Sequence, residues 1–173
     1  MKDNIVIVPV GHTDLSHGHT ENPSASQSAV AFDRAGRELT SFISDTEAAV
    51  FTDAWSPSSV SAFLLGECSV CLTARVSSRQ AGYVLASAAF DEGEILRIAV
   101  LPEFRGRGVG SELLEKAEKA LAERGVKTVF LEVRADNRPA MSLYSSHGYL
   151  PTGIRRDYYR DPTCDAVLMK KEL

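Results

Sequence analysis

The chain has 173 residues, of which 44% are hydrophobic and 24% are charged, and its formal net charge is −4. This length and composition are typical of one compact folded domain and exclude a wholly disordered chain. The negative net charge gives no general attraction to nucleic acid, and no apolar run approaches the roughly 20 residues of a membrane-spanning helix. We therefore expect a cytoplasmic protein, folded as a single domain over residues 1–173, with neither a nucleic acid nor a membrane as partner.

The pattern of apolar and polar residues changes twice in the first third of the chain. A β-branched run at residues 5–8, followed by Pro9 and Gly11, predicts a strand. Residues from about 16–37 are rich in Ser, His, Asn, Gly and Ala and contain almost no large apolar side chains, which predicts a surface insertion. Apolar residues return from Leu39 at helical spacing, and Ser56-Pro57 marks the start of a second helix.

The rest of the chain alternates between β-rich and helical patterns. An apolar stripe between Val109 and Leu121, with Glu–Lys pairs four residues apart on the opposite face, predicts an amphipathic helix that ends at Gly125. Residues 137–147 predict a further helix, closed by Gly148. Strands are predicted at residues 69–76, 80–90, 94–101, 126–133, 154–159 and 166–170.

A glycine-rich turn joins the strand that ends near Leu101 to the helix that follows. Gly106, Gly108 and Gly110 let the backbone approach a ligand, and the first helical turn offers free N–H groups at the positive end of the helix dipole. Arg105 and Arg107 add positive charge. A diphosphate would fit there, although a tight strand-to-helix turn needs glycine with or without a ligand. The spacing excludes both a dinucleotide-binding fingerprint and a P-loop.

This turn is similar to the acetyl-coenzyme A signature of the GNAT superfamily of N-acetyltransferases, Arg/Gln-x-x-Gly-x-Gly/Ala, with matches at Arg105, Gly108 and Gly110. The resemblance runs from about residue 52 to residue 173. It implies an α/β (α+β) fold: a mixed, mostly antiparallel sheet that splays in the middle, with helices on both faces and acetyl-CoA in the gap as co-substrate. The residues that it implies for acetyl-CoA binding are Ile98, Ala99, Val100, Arg105, Gly106, Arg107, Gly108, Val109, Gly110, Ser111 and Asn137.

Glu132 places a carboxylate inside an otherwise apolar strand segment, where a charged residue is uncommon. From the residues alone, a functional carboxylate and a structural one, which pairs with Arg134 on the same strand face or faces solvent at an open edge, are equally reasonable. The stretch 131–134, followed by Asn137 and Tyr144, resembles the catalytic segment of ribosomal-protein alanine acetyltransferases of the RimI type. This resemblance implies that Glu132 is the general base, that Tyr144 is the general acid and that transfer is direct, in a ternary complex.

Two of these residues also have structural interpretations. Tyr144, taken alone, would be a helix aromatic that packs against the sheet. Asn137 would cap the helix that contains Tyr144, and the same side chain could also bind the pantetheine part of acetyl-CoA. The capping and binding roles of Asn137 are compatible with each other.

Adjacent tyrosines near the C-terminus indicate the acceptor. The tail containing Tyr158 and Tyr159 resembles the closing hairpin of N-terminal protein acetyltransferases, which implies that both side chains line the slot for the acceptor's first residues. An aromatic pair on an edge strand is the structural alternative. The expected partner is a protein N-terminus, from a ribosomal protein that begins with alanine. The alternatives are a GNAT enzyme that acts on a small amine or an internal lysine, and a non-catalytic acetyl-CoA sensor.

No metal site is expected. Cys68 and Cys71 lie in a predicted strand without a second cysteine pair nearby, so we interpret them as small packed residues. His12, His17 and His19 fall in the polar segment and are interpreted as solvated. Three cysteines fit a reducing compartment, so no disulfide is expected.

Overall fold

A computed structural model of the chain describes residues 5–10 and 25–173, with side chains in the second range from residue 36 onward. The strands are β1 (Ile5–Val10), β2 (Ser69–Val76), β3 (Arg79–Ala89), β4 (Glu92–Val100), β5 (Thr128–Arg134), β6 (Leu150–Arg160) and β7 (Thr163–Glu172). The helices are α1 (Ala25–Val50), α2 (Pro57–Leu64), α3 (Val109–Glu123) and α4 (Arg138–Ser146), with a short 3-10 helix at Pro102–Phe104. No helix formed by these residues is long and apolar enough to cross a membrane.

The strands form one sheet in the order β1-β2-β3-β4-β5-β7-β6. Neighbouring strands are antiparallel except β4 and β5, which run parallel. The parallel ladder joins only the first four residues of β4 to the first four of β5, and it ends at Ile95 and Leu131. Beyond this point β4 stays paired with β3 and β5 stays paired with β7, so the two halves of the sheet separate. The predicted mixed sheet with a splayed middle is confirmed.

Helices cover both faces of the sheet because successive strand side chains point to opposite sides. One core cluster joins the sheet to α3 and α4, and a second cluster joins the other face to α1 and α2. The first includes Val84, Leu113, Leu114, Val133 and Tyr144, and the second includes Ile43, Val60, Tyr83, Leu85 and Ala99. On β5, Val133 therefore faces α3 and α4, whereas its neighbour Glu132 faces the side of α1 and α2.

Two boundaries differ from the sequence-based expectation. Helix α1 begins at Ala25, well before Leu39, so the later part of the predicted insertion at 16–37 is helical. Alanine-rich sequence extends a helix at little cost once a later turn is packed, even without an apolar stripe. The earlier part of that segment, up to residue 24, lies outside the described residues. Strand β1 continues through Pro9, which is tolerated because β1 is an edge strand.

The predicted starts of α2 and α4 are confirmed by their caps. Ser56 caps α2, and its hydroxyl oxygen accepts a hydrogen bond from the Ser59 amide at 3.1 Å, with Pro57 in the first turn. Asn137 caps α4 in the same way, through a bond of 3.2 Å from the Ala140 amide.

Candidate active site

A cleft of about 690 Å³ opens where β4 and β5 separate. Its walls are the second half of β4, the turn before α3, the end of β5, the first turns of α4 and the loop between α1 and α2. This volume is in the range of small-molecule binding sites, roughly 300–1,000 Å³. Because β4 and β5 are not paired at this point, side chains from both faces of the sheet line the same cleft.

The open edge of β4 forms one wall of this cleft. Ile98, Ala99 and Val100 all line it, and their ladder partners lie on the β3 side only. Backbone groups on the other edge of β4 therefore face the cleft rather than β5. One of these groups is already used, because the Val100 carbonyl accepts a hydrogen bond of 3.0 Å from Nε of Arg105. A ligand with amide groups could pair with the rest of this edge.

The turn before α3 has the backbone geometry that only glycine adopts easily. Gly106 has a φ of +71° and Gly108 a φ of +85°, and Gly108 is the N-cap of α3. A Cβ atom added at Gly108 would have no neighbour within 4 Å, so strain rather than crowding selects glycine here. The N–H groups of the first turn of α3 consequently lie at the cleft without a side chain at Gly108 in front of them.

The residues predicted around this turn fall into two groups. Those that line the cleft are Arg105, Gly106, Gly108, Val109, Gly110 and, across from them, Asn137. Arg107 and Ser111 do not line it. The Arg107 guanidinium lies over the Phe104 ring at 5.7 Å, and the Ser111 hydroxyl lies 2.6 Å from Nε2 of His147. The amide oxygen of Asn137 is used by the α4 cap, so a bond from this side chain to a ligand would use its amide nitrogen.

Gly108→Val is expected to weaken acetyl-CoA binding by about tenfold or more, because a β-branched residue is strained at this φ and would distort the first turn of α3. Arg107→Ala is the matched comparison within the same turn, and it should weaken binding less. Calorimetric titration of both variants with acetyl-CoA gives the two affinities. If Arg107→Ala weakened binding more than Gly108→Val, then side-chain charge, and not the backbone N–H groups, would hold the diphosphate.

Glu132 lies on β5 and lines the cleft from the side of α1 and α2. Its Oε1 atom is 2.7 Å from Nη1 of Arg155, and its side chain is 21% exposed. Interaction with the Glu132 carboxylate also raises the pKa of the nearby Tyr158. Pairing with Arg134 is wrong as an explanation of Glu132, since the Arg134 guanidinium binds Asp136 at 3.0 Å instead.

Tyr144 reaches the cleft from the opposite face of the sheet. It is 5% exposed, packs in the α3 and α4 cluster, and its ring stands edge-on to Tyr149 at 5.7 Å. Burial raises the pKa of Tyr144 well above its usual value, and the nearby Tyr159 raises it further. The Tyr144 hydroxyl therefore keeps its proton at neutral pH. Glu132 and Tyr144 thus place a proton acceptor and a proton donor on the two sides of one gap.

Both predicted tyrosines of the closing hairpin lie near Glu132, although adjacent residues of a regular strand point to opposite faces. A bulge makes this possible: the pairing of β6 with β7 shifts register between Arg155 and Tyr159, and Asp157 has a φ of +49°. Tyr159 lines the cleft, and burial together with the carboxylates of Asp53 and Glu132 raises the pKa of Tyr159 to about 12. The two tyrosine rings stand edge-on at 5.2 Å.

Sequence reasoning missed Arg97, which fastens the loop between α1 and α2 to β4. The Arg97 guanidinium lies 3.1 Å from Oδ2 of Asp53 and donates a bond of 2.9 Å to the Asp53 carbonyl. It also stacks on the rings of Phe51 and Trp55, at 4.6 and 5.6 Å. Phe51 and Asp53 line the cleft, so Arg97 fixes the wall of the slot that faces Tyr159.

A buried carboxylate supports Arg97 from behind. Glu47 of α1 is fully buried, and it accepts hydrogen bonds from the Tyr83 hydroxyl and from the Trp55 amide, the latter at 2.8 Å. Its Oε1 atom is 3.8 Å from Nε of Arg97. Removing one partner of such a buried pair costs about 3–5 kcal/mol, so the loop is held firmly. The sequence does carry a signal for this residue, because Arg97 is a charged residue within an otherwise apolar strand, as Glu132 is.

Metal-ligating side chains are not gathered at this site. Among the described residues, no three His, Cys, Asp or Glu side chains are placed to hold a metal ion. His12, His17 and His19 lie outside those residues. Cys68 is exposed and Cys71 is buried, and burial raises the pKa of the Cys71 thiol to about 12.

Comparison with known proteins identifies the family. The model of the Acetyltransferase (GNAT) family matches residues 38–149. A Bacillus subtilis protein with a proposed ribosomal protein bS18-alanine N-acetyltransferase activity is 35% identical over 126 residues, which cover 72% of this chain and 83% of that protein. The ribosomal protein bS18-alanine N-acetyltransferase of Salmonella typhimurium is 41% identical over 108 residues, 60% of this chain and 72% of the enzyme.

A solved structure shows the same arrangement. The crystal structure of the ribosomal-protein-S18-alanine N-acetyltransferase from Escherichia coli aligns with a TM-score of 0.73 at 26% identity, over 98% of this chain and 94% of that one. The predicted resemblance to GNAT enzymes is confirmed. Because the family match spans more than half of the sequence and the splayed sheet agrees with it, the chain belongs to the Acetyltransferase (GNAT) family, whose members are N-acetyltransferases that use acetyl-CoA.

Proposed function

We propose that this chain, as one acetyltransferase domain over residues 1–173, acetylates the N-terminal α-amine of a ribosomal protein that begins with alanine. The observation that carries the proposal is the placement of Glu132 and Tyr144 on opposite faces of the sheet, lining one cleft. The names of the two bacterial relatives and of the E. coli structure support the choice of acceptor, bS18. Such an acceptor would be met in the cytoplasm.

The cleft offers binding groups for both the pantetheine part and the diphosphate of acetyl-CoA. The open edge of β4 at Ile98, Ala99 and Val100 would pair with the amides of the pantetheine part, with Asn137 opposite. The residues proposed to hold the diphosphate are Arg105, Gly106, Arg107, Gly108, Val109, Gly110 and Ser111. Arg107 and Ser111 would contribute backbone N–H groups, since the Arg107 guanidinium lies over the Phe104 ring and the Ser111 hydroxyl is engaged by His147. When bound, acetyl-CoA supplies an acetyl group activated as a thioester.

The two catalytic residues move protons in opposite directions. Glu132 accepts, directly or through water, the proton that the amine loses as its nitrogen bonds to the thioester carbon. Tyr144 donates its proton to the sulfur as the carbon–sulfur bond breaks, and regains one from solvent. The net change is an amide formed from the amine and a free thiol formed from the thioester. One Glu132 oxygen is held by Arg155, which orients the carboxylate.

The acceptor slot favours an α-amine over a lysine side chain. Tyr158 and Tyr159 stand beside Glu132, and the loop fixed by Arg97 closes the other side. A free α-amine has a pKa of about 8 and a lysine ammonium a pKa of about 10.4. At neutral pH the neutral fraction of lysine is therefore roughly 10²–10³-fold smaller. A carboxylate beside the thioester is therefore a sufficient base for an α-amine.

Three versions of one hexapeptide test this proposal: one with a free N-terminal alanine, one with that terminus blocked, and one blocked but with an internal lysine. Release of free thiol gives the rate, and mass spectrometry gives the position of the acetyl group. Only the free terminus is expected to react. Tyr159→Ala should raise the KM for the peptide and leave the KM for acetyl-CoA nearly unchanged. Faster reaction of the blocked, lysine-bearing peptide, or of a simple polyamine, would contradict the assignment.

A further inference from the structure

A second groove, of about 400 Å³, begins at Glu132 and runs along the same face of the sheet away from the cleft. Glu132 lines both spaces, so the groove is continuous with the proposed acceptor site. None of the described helices lines this groove. Its walls come from the first residues of β4, from the middle of β5 and from β3, β6 and β7. Its lining residues include Glu92, Glu94, Phe130, Glu132, Arg155 and Leu168.

The register of the sheet gives the direction and length of the groove. Glu94 lies opposite Phe130, and Glu92 lies opposite Thr128, where the parallel ladder of β4 and β5 begins. Four residues of β5 separate Glu132 from Thr128, which corresponds to roughly 13 Å at about 3.3 Å per residue. An extended peptide that enters at Glu132 would therefore cover about four residues before it passes Glu92.

The groove combines an apolar floor with an acidic rim. Phe130 is 37% exposed although it is a large aromatic residue, and Leu168, the ladder partner of Glu132, also lines the groove. Among the described residues, three carboxylates, those of Glu92, Glu94 and Glu132, line the groove with a single guanidinium, that of Arg155. The neighbouring cation Lys170 is not among the lining residues, and its Nζ atom lies 3.1 Å from Glu172.

At the end of the groove that meets the cleft, Nη1 of Arg155 forms an ion pair with Oε1 of Glu132 at 2.7 Å. Partial burial and the charge of Glu132 raise the pKa of Glu94, and Arg155 only partly opposes this. A cation placed next to Glu94 and Glu92 would therefore relieve repulsion between carboxylates. The methylene stem of a lysine or arginine would at the same time cover the exposed ring of Phe130.

We propose that this groove binds the acceptor polypeptide beyond its acetylated residue, and that Glu92 and Glu94 select a lysine or arginine about two to four positions after that residue. The inference rests on the proposed function, because the N-terminal amine at Glu132 sets where the following residues enter. The acceptor class is thus a protein N-terminus with a small first residue and a basic residue close behind it.

The test compares two peptides that begin with a free alanine and differ at the third and fourth positions, with lysine in one and glutamine in the other. For the unmodified enzyme, the KM of the lysine peptide is expected to be about fivefold lower, as for two partly exposed ion pairs. The preference should shrink at high salt. In the double variant Glu92→Gln/Glu94→Gln the preference should disappear. Glu115→Gln, an exposed change on α3, is the matched control and should keep it.

Each enzyme is judged by its own ratio of the two peptides, so a change in the amount of folded protein does not affect the result. Equal KM values for the two peptides, both acetylated at the free terminus, would overturn the inference and leave the proposed function standing. A preference that survives in the double variant would overturn it as well, since another segment would then read the basic residues. If neither peptide is acetylated at its terminus, the proposed function fails and the inference fails with it.

Discussion

Tyr144→Phe is expected to lower the turnover number by about 10²-fold or more and to leave the affinity for acetyl-CoA nearly unchanged. The substitution removes the proton donor while the ring keeps its place, edge-on to Tyr149 and almost fully buried. Because burial raises the pKa of Tyr144, its hydroxyl is protonated throughout the neutral range, so the loss should be the same between about pH 6 and pH 8. Thiol release gives the rate, and calorimetry gives the affinity.

Tyr149→Phe is the matched control for this experiment. Tyr149 is 1% exposed and belongs to the same core cluster, but it is not among the residues that line the cleft. Its loss of a hydroxyl should leave turnover within a few-fold of the unmodified enzyme. Equal turnover of Tyr144→Phe and the unmodified enzyme, with chemistry shown to limit the rate, would make Tyr144 a packing residue only.

Glu132→Gln is expected to lower turnover by about 10²-fold at neutral pH, because the amide keeps the size of the side chain but cannot accept a proton. The remaining rate should depend on amine that is already neutral. Since a free α-amine has a pKa of about 8, the rate of the variant should rise as the pH increases toward 9, and the difference from the unmodified enzyme should narrow. A pH profile of turnover with the free-alanine peptide measures both effects.

Glu132→Asp provides the comparison that separates proton transfer from position. It retains a carboxylate and the possibility of an ion pair with Arg155, so it should retain more activity than the glutamine variant. If Glu132→Gln keeps full turnover at pH 7, the base lies elsewhere, and Asp53, the other carboxylate beside Tyr159, would be the next residue to test.

Local patterns predicted most of the fold. Strand alternation, capping residues and apolar stripes each depend on neighbours in sequence, and the caps at Ser56 and Asn137 lie where the pattern placed them. The start of α1 was wrong because its first turns carry no apolar periodicity and extend a helix that is packed further on. Pro9 ended β1 too early in the prediction because the sequence does not show which strand occupies an edge.

The residues that line the cleft could be predicted where they are contiguous in sequence. Gly108 at the N-cap of α3 and the pair of Glu132 and Tyr144 belong to short segments that resemble known ones. Pairings across the fold were not predictable: Arg97 binds Asp53, 44 residues away, and Glu132 binds Arg155 on another strand. Arg134 was the partner that a single strand could suggest for Glu132, and only the arrangement of β5, β7 and β6 brings Arg155 close.

Transfer to a protein α-amine is tested most directly by incubating the enzyme and acetyl-CoA with purified bacterial ribosomal protein bS18 that carries a free N-terminal alanine, and then mapping its peptides by mass spectrometry. We expect a single acetyl group on the α-nitrogen of the alanine, and far less of it with Tyr144→Phe under the same conditions. Acetyl groups on lysine side chains, with the terminal amine still free, would contradict the proposed function.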